Sequence, residues 1–121
     1  YLIQGMIKHF SDLEAWKSSH QLALWVYQIT KAFPKEETFG LTNLLRRAAV
    51  SVASNIAEGF RRASPKEKVQ FLRIAYGSGA EAETQIMIAL ELGYLDKYSY
   101  DKLVGELEEI MKIINVVINK L

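Results

Sequence analysis

Apolar residues recur at a helical period along nearly the whole chain. In the first segment Leu13, Trp16, His20, Ala23, Tyr27 and Thr30 follow 3-4 spacing, and Leu22, Val26 and Ile29 widen the stripe. A second stripe is Leu41, Leu45, Ala48, Val52, Ile56 and Gly59, and a third is Leu72, Ala75, Gly79, Ala82, Ile86 and Ala89. The last holds Tyr100, Val104, Leu107, Met111, Ile114, Ile118 and Leu121 in strict 3-4 spacing, as in a bundle seam. The breaks between stripes carry stop and start chemistry. Ser11 and Glu14 read as a capping box, and Phe33-Pro34 ends the first helix. Ser64, Pro65 and Glu67 open the third helix, and Gly93 closes it. No useful stretch alternates apolar and polar residues. The pattern predicts an all-α fold, a single antiparallel up-down-up-down four-helix bundle over 11–121, with helices at about 12–32, 41–60, 65–92 and 98–120.

The second helix lacks the charged back that a solvated helix carries. Opposite its core stripe lie Arg46, Val50, Ser54 and Ala57, flanked by Arg47, Ser51, Ala53 and Glu58. Several of these are mediocre helix formers, so packing must hold the segment, and from two sides. The third helix repeats the pattern with Val69, Tyr76, Gly77, Ala80, Met87 and Ile88. Two such helices in succession point to a surface buried against another copy of the chain, with Val50, Ser54, Ala57, Tyr76, Ala80 and Met87 as its candidate interface.

Four polar residues on these helices read as structural. Asn55, at the edge of the core stripe, needs partners and would fix register or oligomeric state. Arg47 and Glu58 are too far apart along the helix to pair, so each is expected to pair with another helix or chain. An Arg47–Glu83 pair is the first guess.

Composition adds limits. The chain has 121 residues, enough for one domain and too few for two. Fifteen Lys and Arg face fourteen Asp and Glu, so global charge points to no particular partner. There is no cysteine, which excludes disulfide and thiol chemistry. No apolar run is long enough for a membrane span, and no signal-peptide pattern opens the chain, so the expected location is the cytoplasm. Residues 1–10 are expected to be extended or disordered, and residues 1–5, ending in Gln-Gly before Met6, read as a tag remnant.

Charge is uneven along the chain. From Arg46 to Arg73 seven basic residues face two acidic ones; from Glu81 to Glu109 two basic face eight acidic. In an antiparallel bundle Arg61, Arg62, Lys66 and Lys68 would meet Lys8, Lys17, Lys112 and Lys120 at one pole. Arg61, Arg62, Lys66, Lys68 and Lys17 are therefore the candidate contacts for RNA or DNA, driven by the phosphate backbone and lost with salt. Phe60 and Phe71 are better used in packing than in base stacking.

Catalytic and metal chemistry find little support. The only histidines are His9 and His20, outside any Glu-x-x-His pattern, and His20 reads as a satisfied core or interface residue. Phosphate loops, zinc spacing and nucleophile triads are missing too. No cofactor, metal or catalytic residue is expected.

"FSDLEAWKSSHQLALWVYQITKAFPKEETFGLTNLLRRAAVSVASNIAEGF" with "FLRIAYGSGAEAETQI" resembles the bacterial 23S rRNA-intervening-sequence proteins. The resemblance runs from about Phe10 to Leu121. It is most specific at Leu45 to Ala49, Ser51, Asn55 to Gly59, and Gly77-Ser78 with Glu81, Glu83, Thr84 and Gln85. It implies a four-helix bundle and a cyclic homopentamer. A related branch, the accessory variability protein of diversity-generating retroelements, is a strongly basic pentamer that binds nucleic acid and a reverse transcriptase; the present chain departs from it in being nearly neutral. The expected function is a non-enzymatic homo-oligomeric scaffold or adaptor. Its expected partners are itself first and another protein second, with no membrane. The alternative is an RNA- or DNA-binding protein using the basic pole.

Overall fold

The computed structural model describes the backbone of residues 10–121 and the side chains from Glu14 onward. Four α-helices account for most of it: α1 (Phe10–Ile29), α2 (Leu41–Phe60), α3 (Pro65–Glu91) and α4 (Lys97–Lys120). Two short 3₁₀ turns, Thr30–Ala32 and Lys35–Glu37, lie between α1 and α2. Among the described residues there is no strand. α1 packs on α2 and α4, and α3 packs on the same two helices. One apolar cluster fills the space between them.

Helix ends follow local chemistry. Ser64 Oγ accepts the Glu67 N–H at 3.1 Å, and Pro65 takes the first helical position. Asp96 caps α4 by accepting the Ser99 N–H at 2.7 Å. Gly93 adopts φ +82°, the left-handed conformation that ends α3. α2 starts differently. Its cap position is Gly40, which has no side chain, and the carboxylate of Glu37 accepts the Leu41 N–H instead, at 3.0 Å. A Cβ on Gly40 would lie 2.7 Å from that carboxylate oxygen, so a side chain there would make the Glu37 carboxylate shift from its capping position. Glu37 also accepts the Tyr94 hydroxyl at 2.9 Å, tying the α1–α2 connector to the α3–α4 connector.

At the start of α1 the helix already includes Phe10. Ser11 is thus inside the helix and not its cap, and its side chain lies outside the described residues, as do the whole of residues 1–9.

The stripes of α2 and α3 are buried as the spacing predicts, with Ala49 added to the first. Two stripes need correction. On α1 the buried row is Ala15, Ser19, Leu22 and Val26, continued by Thr30 of the first 3₁₀ turn, while Trp16 and Ala23 are half-buried and His20 and Tyr27 exposed. Two overlapping rows run along this helix, and the more aromatic one faces outward. On α4 the buried row is Leu103, Leu107, Ile110, Ile114 and Val117; Tyr100, Val104, Met111 and Ile118 pack at its edge, and Leu121 is exposed. An apolar sector wider than one seam admits more than one 3-4 reading, and neighbours choose between them.

Candidate functional site

The outward row of α1 lies beside the uncharged back of α2. Trp16, His20, Ala23, Leu24 and Tyr27 from α1 and Val50, Ala53, Ser54 and Ala57 from α2 line an open groove of about 360 Å³. Small residues make its floor: Ala23, Ala53 and Ala57 leave a valley between the helices. Large ones make its walls. Trp16 and His20 stack with ring centroids 5.0 Å apart. Leu24, Tyr27 and Val50 keep 51%, 43% and 40% of their surface in solvent.

Arg46 borders this groove. Its guanidinium lies 4.6 Å above the Tyr27 ring. Its Nε donates to Thr30 Oγ1 at 2.8 Å and its Nη2 to the Tyr27 carbonyl at 3.3 Å. A cation is thereby held against the carbonyl end of α1, where the helix dipole favours it. Arg46 is a half-buried fastener between α1 and α2.

A second cleft opens on the other side of α2, against α3. Leu44, Arg47, Ala48 and Ser51 face Ser78, Glu81 and Gln85 across about 310 Å³. Ser51 and Ser78 hydroxyls bond at 2.7 Å. The Asn55 amide donates to the Ser51 carbonyl at 2.9 Å and to its hydroxyl at 3.0 Å. Asn55 thus finds its partners one turn back on its own helix, and through Ser51 it is linked to α3.

A sequence model of the 23S rRNA-intervening sequence protein family matches residues 11–116. The chain belongs to that family. Its fold resembles the crystal structure of a protein of unknown function from the S23 ribosomal protein family of Bacteroides thetaiotaomicron, with a TM-score of 0.84. The two are 19% identical, and the match covers 91% of this chain and 99% of that one. No curated protein matches the sequence. Of the residues that carry the resemblance, Arg47, Ala48, Ser51, Ser78, Glu81 and Gln85 line the second cleft, whereas Ala57 lines the first groove and Glu83 lies on another side of α3.

The remaining site residues are dispersed. Arg47 lines the second cleft, whereas Glu83 lies on another side of α3 beside Tyr76, Glu108, Met111, Lys112 and Asn115. Within the chain they do not pair, and Arg47 shares its cleft with Glu81 instead. Glu58 pairs locally, with Arg62 four residues on, at 2.8 Å. Tyr76 and Met87 are exposed apolar residues, and Ala80 is exposed between them on α3.

The turn between α2 and α3 is less open than its composition. Arg62 is held by Glu58 and lies 4.7 Å over the Phe71 ring. Lys68 is 9% exposed and its ammonium donates to the Phe60 carbonyl at 3.3 Å, satisfying the last turn of α2. Gly59 packs here at close range: a Cβ there would lie in van der Waals contact, 3.4 Å from the Lys68 carbonyl and from Phe71. Arg61 and Lys66 remain exposed. Lys17 sits apart, in a groove between α1 and α4 beside Glu106 and Glu109. Lys8 lies outside the described residues.

Among the described residues no group of three or more His, Asp or Glu is arranged to hold a metal ion, and no helix is long and apolar enough to cross a membrane.

Proposed function

We propose that this chain is a non-enzymatic homo-oligomeric scaffold, assembled by seating a second copy in the groove between α1 and α2. The observation that carries this reading is the groove itself: aromatic walls, an alanine floor and no Lys, Arg, Asp or Glu in the lining. The second copy is favoured as occupant because the same chain offers a different unpartnered apolar face. Tyr76, Met87 and Ile88 are exposed on α3, with Ala80 and the open Gly77 between them. Two unlike faces on one chain make a head-to-tail contact, and such contacts close into rings when the rotation permits. The family resemblance favours five copies for that ring.

An antiparallel up-down-up-down arrangement belongs to the same proposal. It is supported by the contacts of α1 with α4, where Lys102 lies 5.1 Å over the Trp25 ring and Lys17 lies beside Glu109, so rising numbers meet falling ones.

Substituting Val50→Glu or Ala57→Glu tests the scaffold. The mass from light scattering should fall toward that of one chain while helical circular dichroism is kept. An unchanged mass would remove the groove from the interface.

Nucleic-acid binding ranks second. It draws on Arg61 and Lys66, the exposed cations of the α2–α3 turn, repeated around a ring.

A further inference from the structure

The open sides of α2 and α3 carry matching rows. On α2 the row is Asn43, Arg47, Val50 and Ser54; on α3, read backwards, it is Met87, Glu83, Ala80 and Tyr76. Both rows step by four, three and four, so each lies along one helix face. Every member is exposed or half-buried. Within the chain, numbers rise along α2 where they fall along α3. The Ser51 and Ser78 hydroxyls bond at 2.7 Å, and Gly59 lies against Lys68 and Phe71. From that serine pair, Arg47 is about one turn toward the start of α2, and Glu83 about one turn toward the end of α3. Arg47 and Glu83 therefore share one height on different sides of the bundle.

Their charges are unanswered within the chain. Arg47 lies across a cleft from Glu81 without pairing with it. Glu83 is half-buried in a groove with Tyr76, Met111, a second carboxylate, Glu108, and one ammonium, Lys112. Among the described residues none of Arg47, Glu83 and Glu108 forms an ion pair. The α2 row thus has a cation to give, and the groove beside the α3 row has a carboxylate in excess.

We propose that these two rows mate between copies, rung by rung, with Arg47 of one copy paired to Glu83 of the next. The proposal rests on the scaffold reading and adds the mating surface and its register. A ring whose axis runs along the bundle keeps every copy at one height, so Asn43 meets Met87, Val50 meets Ala80 and Ser54 meets Tyr76. Small faces large at the last two rungs, and Tyr76 enters the α1–α2 groove where Ser54 lines it. Apolar contact alone lets two helices slide by a turn. A charge pair at one rung permits a single register.

The chain has no cysteine, so introduced pairs report that register directly. Val50→Cys with Ala80→Cys in one chain should give, on oxidation, a ladder of linked copies on a denaturing gel. Val50→Cys with Met87→Cys, two turns out of register, should give none, because disulfides do not span more than about 7 Å between Cα atoms. Arg47→Glu and Glu83→Arg should each weaken self-association, read from light-scattering mass against concentration, by about ten-fold or more with helicity kept. Both changes in one chain should assemble more tightly than either alone. No ladder from the matched pair, equal ladders from both pairs, single reversals without effect, or no recovery in the double variant overturns the proposal. If Val50→Glu still lowers the mass, any of these results leaves the scaffold reading standing. A wild-type chain that stays at the mass of one copy ends both.

Discussion

The α1–α2 groove and the α2–α3 turn present the same puzzle in the sequence: side chains with no local reason to be where they are. The structure resolves them in opposite directions. In the groove, Trp16, Leu24, Tyr27 and Val50 join across two helices into one continuous apolar surface that the chain leaves open. At the turn, two of four cations are used up internally, Arg62 by Glu58 and Phe71 and Lys68 by the Phe60 carbonyl. A row of apolar residues gains meaning when another helix lines up beside it. A run of charges loses some when near neighbours claim it.

The contrast is broken most severely at the groove. Leu24→Glu should weaken self-association by about a hundred-fold or more, since a carboxylate would be buried unpaired. The bundle's own urea stability should change by less than ~0.5 kcal/mol, as for other exposed positions. A variant that assembles normally would show that this wall is not covered by another copy. Next comes Lys68→Ala, which removes the donor to the Phe60 carbonyl and the buried alkyl stem. It should cost about 1–3 kcal/mol in urea denaturation. Arg61→Ala and Lys66→Ala should each stay within ~0.5 kcal/mol. Equal effects at all three positions would erase the distinction between held and open cations.

A smaller effect sharpens the same point. Glu58→Gln releases Arg62 and should lower stability by less than ~0.5 kcal/mol, the usual worth of an exposed i,i+4 pair. If the turn binds RNA at all, the freed arginine should steepen the salt dependence measured by anisotropy of a labelled single strand, by about 0.7 for each additional phosphate it neutralises. An unchanged slope in a variant that does bind would place Arg62 away from the RNA backbone.

The smallest effect lies at the far connector. The Leu41 N–H and the Tyr94 hydroxyl, both donating to Glu37, hold its carboxyl below the usual range, while Glu37 pushes the Tyr94 phenol up. A depressed carboxyl stabilises the fold fully above its unfolded pKa and loses that contribution as pH falls through the folded one. Hydrogen-exchange protection of the Leu41 amide should therefore fall on acidification. In Glu37→Gln it should hold flat over the same range. A wild-type amide equally protected throughout would mean the carboxylate does not cap α2.

How much was legible depended on whether a signal was local. The caps at Ser64 and Gly93 were, because cap chemistry involves residues three or four apart. The Glu37 cap was missed, although a carboxylate three residues before a glycine at a helix start is a readable signal. The core rows of α2 and α3 were legible because each has a single apolar sector. Those of α1 and α4 were legible only in part: Leu22, Val26, Leu107 and Ile114 are buried as expected, but Trp16 and Tyr27 compete with Ala15 and Ser19, and Val104 and Met111 with Leu103 and Ile110. Within one chain Arg47–Glu83 failed for a related reason: a helical wheel gives the angle on one helix, not which neighbour lies there.

By itself the sequence determined the four helices, the two ends of α3, the membership of α2's and α3's core rows and, through the motif residues of α2 and α3, the family. All of these follow from backbone hydrogen bonding and from apolar spacing within one helix. Tertiary structure decided which α1 row faces out, which cations stay exposed, and that α2 is flanked by an apolar groove on one side and a polar cleft on the other. Those depend on helix rotation and on contacts between residues tens of positions apart, such as Ser51 with Ser78 and Glu37 with Tyr94. They are set by the joint packing of four helices, which no single segment encodes.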